Sequence, residues 1–285
     1  MIASEATPER LRSLFPDLNR DHIRFALEVD GSDGGLAVGY DQFDSELLHL
    51  QIGRVVAVRA PDFAVLRCLY QSLAARMHEL GLDHVLRRVD AGSFPEIWAL
   101  GHAGFELMDI GVTFGRRLTT PVEANTYDDL VVRPAERHDI EEIVSAMLDR
   151  PWGSRYESDP SYRPEDVRAL RERWLWNSYA GRAQLVLVGE MESKAAGYVT
   201  CLVDPASKHG EIELVGTLPE FRGRRVAARI IEHALAWFST RSAYVTVRTQ
   251  ATNYAAANLY EKSGFMLNHS DLTFRRARPE GDILQ

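Results

Sequence analysis

The chain has 285 residues, of which 45% are hydrophobic and 26% are charged, and its formal net charge at pH 7 is -8. This length allows two hydrophobic cores, and the acidic balance argues against a general attraction to nucleic acid or to an anionic membrane surface. Two cysteines, Cys68 and Cys201, are too few for a disulfide framework, and neither a signal-peptide core nor a membrane-spanning apolar run is present. We therefore expect a cytoplasmic protein with a small-molecule partner.

The first half of the chain predicts alternating strands and helices. Hydrophobic periodicity gives the order strand 47–58, helix 62–80, strand 84–89, helix 94–102 and strand 105–115. Around residues 121–126 neither a helical nor an alternating pattern persists, so we expect a linker at 121–128. The linker divides the chain into a domain at 1–120 and a domain at 129–285.

The second half predicts a layered α/β domain. A strand at 130–134 ends at a proline and is followed by helices at 137–149 and 164–179. An antiparallel meander of three strands comes next, at 184–188, 195–203 and 211–217. The remaining elements alternate between helix and strand: helix 223–239, strand 243–249, helix 253–262 and strand 265–275. We expect a mixed, mostly antiparallel sheet flanked by helices.

Four arginines are concentrated at the predicted start of helix 223–239: Arg222, Arg224, Arg225 and Arg229. A helix N-terminus offers unpaired backbone N–H groups and a partial positive charge, and these arginines reverse the sign of the acidic chain locally. The pattern predicts a phosphate-binding turn. The alternative is a solvated, arginine-rich helix start.

This turn and the segment NYAAANLYEKSGF at 253–265 resemble the GNAT superfamily of N-acetyltransferases, over about residues 129–276. The resemblance implies that the turn binds the pyrophosphate of acetyl-CoA, with Arg222 and Ala227 at the ends of the family's pattern and Arg225 in place of its middle glycine. An arginine forced into a positive φ there costs about 1 kcal/mol. The implied coenzyme-binding residues are Val215, Gly216, Thr217, Leu218, Arg222, Gly223, Arg224, Arg225, Val226, Ala227, Asn253 and Asn258. Asn253 has the alternative of being a helix N-cap.

The implied reaction is attack of an amine on a thioester, which needs proton transfer at both ends. By the resemblance, Tyr260 protonates the leaving thiolate; the alternative is a buried aromatic ring. Strand alternation puts Glu211, Glu213 and Val215 on one face, so both carboxylates are candidate bases, directly or through water. A solvent-facing edge is the alternative and is preferred for Glu211, whereas Glu213 lies deeper in the strand and is the predicted base. The histidines lack metal-ligand spacing, so we expect no metal.

An internal repeat relates the two halves. Sliding the sequence by 160 positions makes nine of the 33 residues at 84–116 coincide with their partners, among them Gly104 with Gly264 and Phe105 with Phe265. Leu100 then takes the place of Tyr260, and Asp62 begins the helix where the other copy has arginines. The first half is expected to be a degenerate GNAT-like copy without a coenzyme site, unless such strand–helix units merely look alike.

Two functions remain open. The first is an N-acetyltransferase for a small amine, with an amino sugar or sugar nucleotide as a candidate because residues 44–54 are similar to sugar-nucleotide acetyltransferases of the dTDP-fucosamine type. The second is a non-catalytic acyl-CoA-binding or scaffold protein. The aromatic loop at 149–162 borders the acceptor side in the family. The oligomeric state is expected to be a monomer or a homodimer.

Overall fold

The structure is a computed structural model that describes residues 2–19, 21, 23–147 and 154–279. Its backbone contacts divide it into two compact units. The first unit holds the described residues within 1–110, 158–166 and 270–285, and the second holds those within 111–157 and 167–269.

The elements alternate along the whole chain. Those up to the middle of the sequence are β1 Ala3–Glu5, α1 Pro8–Leu14, β2 Ile23–Val29, β3 Gly35–Tyr40, α2 Gln42–Leu48, β4 Ile52–Arg59, α3 Phe63–Arg76, β5 His84–Asp90, α4 Phe94–His102 and β6 Glu106–Arg117. The others are β7 Val131–Pro134, α5 Arg137–Met147, α6 Arg155–Ser158, α7 Pro164–Asn177, β8 Leu185–Met191, β9 Lys194–Val203, β10 His209–Thr217, α8 Val226–Ser239, β11 Tyr244–Gln250, α9 Tyr254–Lys262 and β12 Met266–Ala277.

Each unit has a sheet of the same topology. In the first unit the strand order is β1-β2-β3-β4-β5-β12, and in the second it is β7-β8-β9-β10-β11-β6. The β4–β5 and β10–β11 pairs are parallel, and the other pairs within these two orders are antiparallel. The predicted fold class, a mixed and mostly antiparallel sheet flanked by helices, is confirmed, and the first unit repeats the topology of the second.

The last strand of each sheet comes from the other half of the sequence. In the second unit Gly111–Arg117 of β6 pair with β11, and in the first unit Asp271–Ala277 of β12 pair with β5. The units therefore differ from the division expected at residues 121–128, because residues 111–120 belong to the second unit and the end of β12 to the first.

Two predicted boundaries differ for local reasons. The strand expected from residue 47 begins at Ile52, because Asp41 accepts a hydrogen bond from the Asp44 N–H (3.2 Å) and starts α2, which ends at His49 with a φ of 56°. The helix expected from residue 223 begins at Val226, since positive φ angles precede it. The elements β1, β2, β3, α1, α2 and α6 were not predicted, because each is short or carries a weak pattern.

The core of the second unit supports the site described below. Helix α8 places Ile230, Ile231, Ala234 and Phe238 in full burial against the sheet. Spacings of three and four residues put these side chains on one face of the helix. This packing consequently holds the N-terminus of α8 next to the C-terminal end of β10.

Candidate active site

Strand β10 carries a bulge that changes the predicted arrangement of its side chains. Ile212 pairs with Cys201 of β9, but Val215 pairs with Val199, so two residues of β10 lie opposite the single residue Thr200. Because cross-strand partners share a face, Val215 lies on the face of Ile212. The prediction that Glu211, Glu213 and Val215 share one face was therefore wrong, and the extra residue of the bulge is the reason.

The strands β10 and β11 separate after the bulge begins. Their parallel ladder runs from His209–Tyr244 to Ile212–Val247, although both strands continue beyond it. On the other side the Leu218 N–H donates to the Ala196 carbonyl of β9 at 2.9 Å. Alternation then turns the backbone groups of Val215 and Thr217 away from β9, into the space that the ladder leaves open.

The turn after β10 presents an uncapped helix N-terminus. Arg225 is the N-cap of α8, has a φ of 62°, and makes no side-chain hydrogen bond to the first turn. Gly223 has a φ of +80° with open space around it. Arg225 thus holds the positive φ that a glycine would adopt without strain. In the first unit the corresponding helix α3 is capped, since the Asp62 carboxylate accepts from the Val65 N–H at 2.9 Å.

The arginines of this turn divide into two pairs. Arg224 binds Glu192 at 2.8 Å, and Arg229 binds Asp129 at 2.8 Å. Within the described residues, Arg222 and Arg225 have no carboxylate partner, and both are exposed. Their charge is therefore available to an anion.

A cavity of about 680 Å³, here called the turn cavity, lies between the start of α8 and helix α9. It brings together seven of the predicted coenzyme-binding residues: Thr217, Arg222, Gly223, Arg225, Val226, Ala227 and Asn258. Sequence reasoning missed Ala255, Leu259 and Lys262, which also line it. Their spacing on α9, with Asn258, is that of one helical face, and this signal could have identified them.

Other predicted coenzyme-binding residues lie outside this cavity: Val215, Gly216, Leu218, Arg224 and Asn253. Asn253 is the N-cap of α9; its Oδ1 accepts from the Ala256 N–H at 3.2 Å, and its Nδ2 donates to Thr249 Oγ1 at 3.1 Å. The structure thus gives Asn253 the alternative role of an N-cap. A Cβ at Gly216 would lie 2.4 Å from the Tyr198 ring, so only glycine fits there.

Tyr260 is buried in the second unit, with only 4% of its surface exposed. Its ring packs against Phe114 of β6 and Phe265, at centroid distances of 5.8 and 6.2 Å. Burial raises the pKa of Tyr260 to about 12. Among the described residues the Tyr260 hydroxyl has no hydrogen-bond partner. Because its oxygen is not one of the fully buried polar atoms, it retains some solvent exposure. The ring is core, and the hydroxyl remains available as a proton donor.

Glu213 lies in the bulge and forms an ion pair. Its Oε1 accepts from the Arg182 Nε at 3.1 Å and from Nη2 at 2.5 Å, and the glutamate side chain is 26% exposed. The hydrogen bonds from Arg182 to Glu213 raise the pKa of the guanidinium. If Glu213 accepts a proton from an amine, its carboxylate has to do so while it is hydrogen-bonded to Arg182.

Part of the predicted acceptor-side loop, at 149–162, lies outside the described residues, since the structure does not describe residues 148–153.

In the described portion of the chain, no group of three or more His, Cys, Asp or Glu residues is placed to hold a metal ion. The helices of that same portion include none long and apolar enough to cross a membrane.

The second half of the chain is similar in sequence to known proteins. Residues 144–265 match the model of the acetyltransferase (GNAT) family. The chain is 29% identical over 140 residues to the spore coat polysaccharide biosynthesis protein SpsD of Bacillus subtilis, covering 48% of this chain and 47% of that protein. It is 29% identical over 136 residues to an uncharacterized N-acetyltransferase of Archaeoglobus fulgidus, covering 45% and 88%. The match thus spans about half the length of SpsD.

Solved structures share the fold over nearly the whole chain. A GCN5-related N-acetyltransferase from Sphaerobacter thermophilus superposes with a TM-score of 0.64 and 18% identity, covering 96% of this chain and 87% of that one. A tandem GNAT protein from the clavulanic acid biosynthesis pathway gives 0.59 and 11%, covering 96% and 89%. Residues 144–265 are thus similar to the acetyltransferase (GNAT) family, and the chain as a whole shares the fold of a tandem GNAT protein.

Proposed function

We propose that this protein transfers an acetyl group from acetyl-CoA to the amine of a small molecule. The observation that carries the proposal is the uncapped N-terminus of α8, which opens on the turn cavity beside two arginines without carboxylate partners. Unpaired N–H groups and two cations are the groups that a pyrophosphate requires.

The residues present fit the coenzyme. Arg222, Arg225 and the first-turn N–H groups of α8 would hold the pyrophosphate, and Asn258 of α9 would contact it from the opposite wall. The outward backbone groups of Val215 and Thr217 would hydrogen-bond the pantetheine amides as an added strand does. Acetyl-CoA would supply the activated thioester.

Two side chains are proposed to move protons. Tyr260, protonated throughout the neutral pH range, would donate to the departing sulfur from its hydroxyl. Glu213 would accept the amine proton directly or through water, and Arg182 would position its carboxylate. No part of this assignment needs a metal ion.

One coenzyme per chain follows from the difference between the units. The N-terminus of α3 is filled by the Asp62 carboxylate, and the position of Tyr260 is taken by Leu100, which is fully buried. A carboxylate at a helix N-terminus satisfies the N–H groups and repels phosphate. We propose that the first unit supports the second and binds no acetyl-CoA.

The acceptor is proposed to be an amino sugar or a related small amine. The supporting observation is the similarity to SpsD, whose name places that protein in polysaccharide biosynthesis. We propose further that the protein acts in the cytoplasm, as a monomer or homodimer, without nucleic acid or membrane partners.

The experiment is calorimetry of the full chain with CoA, followed by release of free thiol from acetyl-CoA across a panel of amines. We expect a stoichiometry near one and turnover with at least one amine. Gly223→Val should weaken CoA binding about tenfold or more, because a β-branched residue is strained at a φ of +80°. Binding without turnover on any amine would favour the non-catalytic alternative, which the Arg182–Glu213 ion pair also suits. Absence of binding would contradict both functions.

A further inference from the structure

The first unit contains a gap between parallel strands like the one that the second unit is proposed to offer to the coenzyme. The ladder between β4 and β5 ends at Arg54–Leu86, although β4 continues to Arg59 and β5 to Asp90. A bulge at Val56 follows directly in β4, because the residues on either side of it pair with adjacent residues of β3. This opening is here called the β4–β5 gap.

The side chain of Arg87 reaches into the β4–β5 gap. Arg87 is the first residue of β5 beyond the ladder, and Val55 is the first residue of β4 beyond it. The Nη1 of Arg87 donates to the Val55 carbonyl at 3.2 Å, and the arginine side chain is only 16% exposed. A guanidinium therefore bridges the two strands at the point where their backbone ladder ends.

Two further side chains hold this guanidinium in place. The Glu96 carboxylate of α4 accepts from the Arg87 Nε at 2.7 Å and from the Tyr70 hydroxyl of α3 at 2.5 Å. Tyr70 is fully buried, and the Glu96 side chain is 13% exposed. Charge-assisted hydrogen bonds are strong in such a site, and removal of one partner leaves the others buried without compensation. The three side chains thus join β4, β5, α3 and α4.

Apolar residues stand at the matching positions of the second unit. The repeat of 160 positions pairs Arg87 with Val247 and Glu96 with Ala256. Val247 is 1% exposed, and neither an alanine nor a valine side chain can donate or accept a hydrogen bond. These two positions therefore supply nothing that could bridge the gap between β10 and β11.

The start of the helix is closed in the first unit as well. Phe63 and Val226 are the first residues of α3 and α8, and His102 and Lys262 are the last residues of α4 and α9. Val226 and Lys262 line the turn cavity, whereas the rings of Phe63 and His102 meet edge to face, with centroids 6.0 Å apart. These rings, with the Asp62 carboxylate at the start of α3, lie where the second unit has its turn cavity.

We propose that Arg87 is a built-in substitute for the coenzyme, which occupies the β4–β5 gap and lets the first unit keep its sheet closed without a ligand. The inference rests on the proposed function for one step, that the matching gap of the second unit belongs to acetyl-CoA. A guanidinium suits the place because its N–H groups satisfy a carbonyl that the ladder leaves without a partner. Binding of the coenzyme then stabilises the second unit alone.

The first test is thermal unfolding of the full chain with Arg87→Ala, with and without ethylguanidinium, which replaces the atoms that the substitution removes. Arg87→Ala should lower Tm by about 5 to 10 °C, because it leaves Glu96 without its cation. Millimolar ethylguanidinium should restore much of this loss by mass action and should leave the wild type unchanged.

Arg88→Ala is the matched control for this test. Arg88 is the next residue of β5, and its side chain is 45% exposed, so its removal leaves no enclosed space for ethylguanidinium. Absence of rescue in Arg87→Ala, or equal rescue of the two variants, would overturn the inference.

The second test is hydrogen exchange of the full chain, followed by mass spectrometry. In the wild type, residues 55–59 of β4 should exchange slowly with and without CoA, whereas CoA should slow the exchange of residues 213–217 of β10. Glu96→Gln keeps the size of the side chain and removes its charge. This variant should speed the exchange of 55–59 several-fold and leave 213–217 unchanged.

Two outcomes of the exchange experiment would overturn the inference: unchanged exchange of residues 55–59 in Glu96→Gln, or slowing of these residues by CoA in the wild type. Absence of any effect of CoA on residues 213–217 would contradict the proposed function itself. The ethylguanidinium experiment needs no coenzyme, so the two failures are distinguishable.

Discussion

Arg116 and Arg276, 160 positions apart, make similar hydrogen bonds in the two units. The Nη1 of Arg116 in β6 donates to the Ser263 carbonyl at the end of α9, at 2.5 Å, and the Nη1 of Arg276 in β12 donates to the Gly104 carbonyl just after α4, at 2.9 Å. A cation at a helix C-terminus satisfies carbonyls that lack intrahelical partners. Each exchanged strand therefore completes a sheet and caps a helix in the unit that receives it.

A first prediction concerns β6. A truncated chain that begins at Leu118 should lose cooperative unfolding and aggregate, whereas one that begins at Gly111 should unfold cooperatively. Without β6, the edge of β11 is unpaired and the ring of Tyr260 loses its contact with Phe114. Thermal unfolding and light scattering measure the difference. Equal midpoints for the two truncated chains would show that β6 does not support the second unit.

A second prediction concerns Tyr260. Tyr260→Phe should keep the packing and the CoA affinity and lower kcat by about 10²-fold, because only the proton donor is removed. Steady-state kinetics and calorimetry check the two effects separately. The control is Tyr254→Phe, at an exposed tyrosine of the same helix that does not line the turn cavity. An unchanged kcat would leave Tyr260 as a core aromatic residue.

A third prediction concerns the bulge of β10. Glu213→Gln should lower kcat by about 10²-fold, because the amide cannot accept a proton. Arg182→Gln should cause a smaller loss of kcat, since Arg182 positions the carboxylate. Glu211→Gln, at an exposed neighbour, is the control and should change kcat less than twofold. If Glu213→Gln and Glu211→Gln behave alike, Glu213 is not the base.

A fourth prediction concerns stability at acid pH. Burial, with a contribution from the Arg275 charge, lowers the pKa of His84 from 6.5 to about 4. The unfolded chain then binds more protons than the folded one between these values, so stability is full above pH 6.5 and falls as the pH drops toward 4. The loss should reach up to about 3 kcal/mol.

Denaturant unfolding at several pH values measures this dependence. His84→Gln should flatten it, whereas His78→Gln, at an exposed histidine, should not. An unchanged slope in His84→Gln would show that His84 is not the source of the acid sensitivity.

Much of the fold could be predicted from hydrophobic periodicity and from the residues that end helices and strands. The strand–helix alternation of both halves and the arginine-rich turn are local features of the sequence, and the internal repeat indicated that the two halves share a fold. Strand exchange could not be predicted, because β6 and β12 have similar sequences that do not indicate which sheet each one completes. The bulge at Glu213 was also hidden, since it depends on Thr200, whose Oγ1 accepts from the Leu214 N–H at 2.9 Å. The sequence thus predicts the turn whose residues line the turn cavity, while the ion pair of Glu213 depends on tertiary structure.

The exchange of last strands also fixes an order of events during synthesis. Strand β5 leaves the ribosome early, but its partner in β12 follows about 180 residues later, which is roughly 10 to 40 s at 5–20 residues per second. During this interval β5 has an open edge that could pair with another nascent chain. Arg87 and Arg88 lie in this strand, and charged residues at a strand edge discourage such pairing. The first half of the protein is thus synthesised first, but its sheet is completed only after β12 has been synthesised.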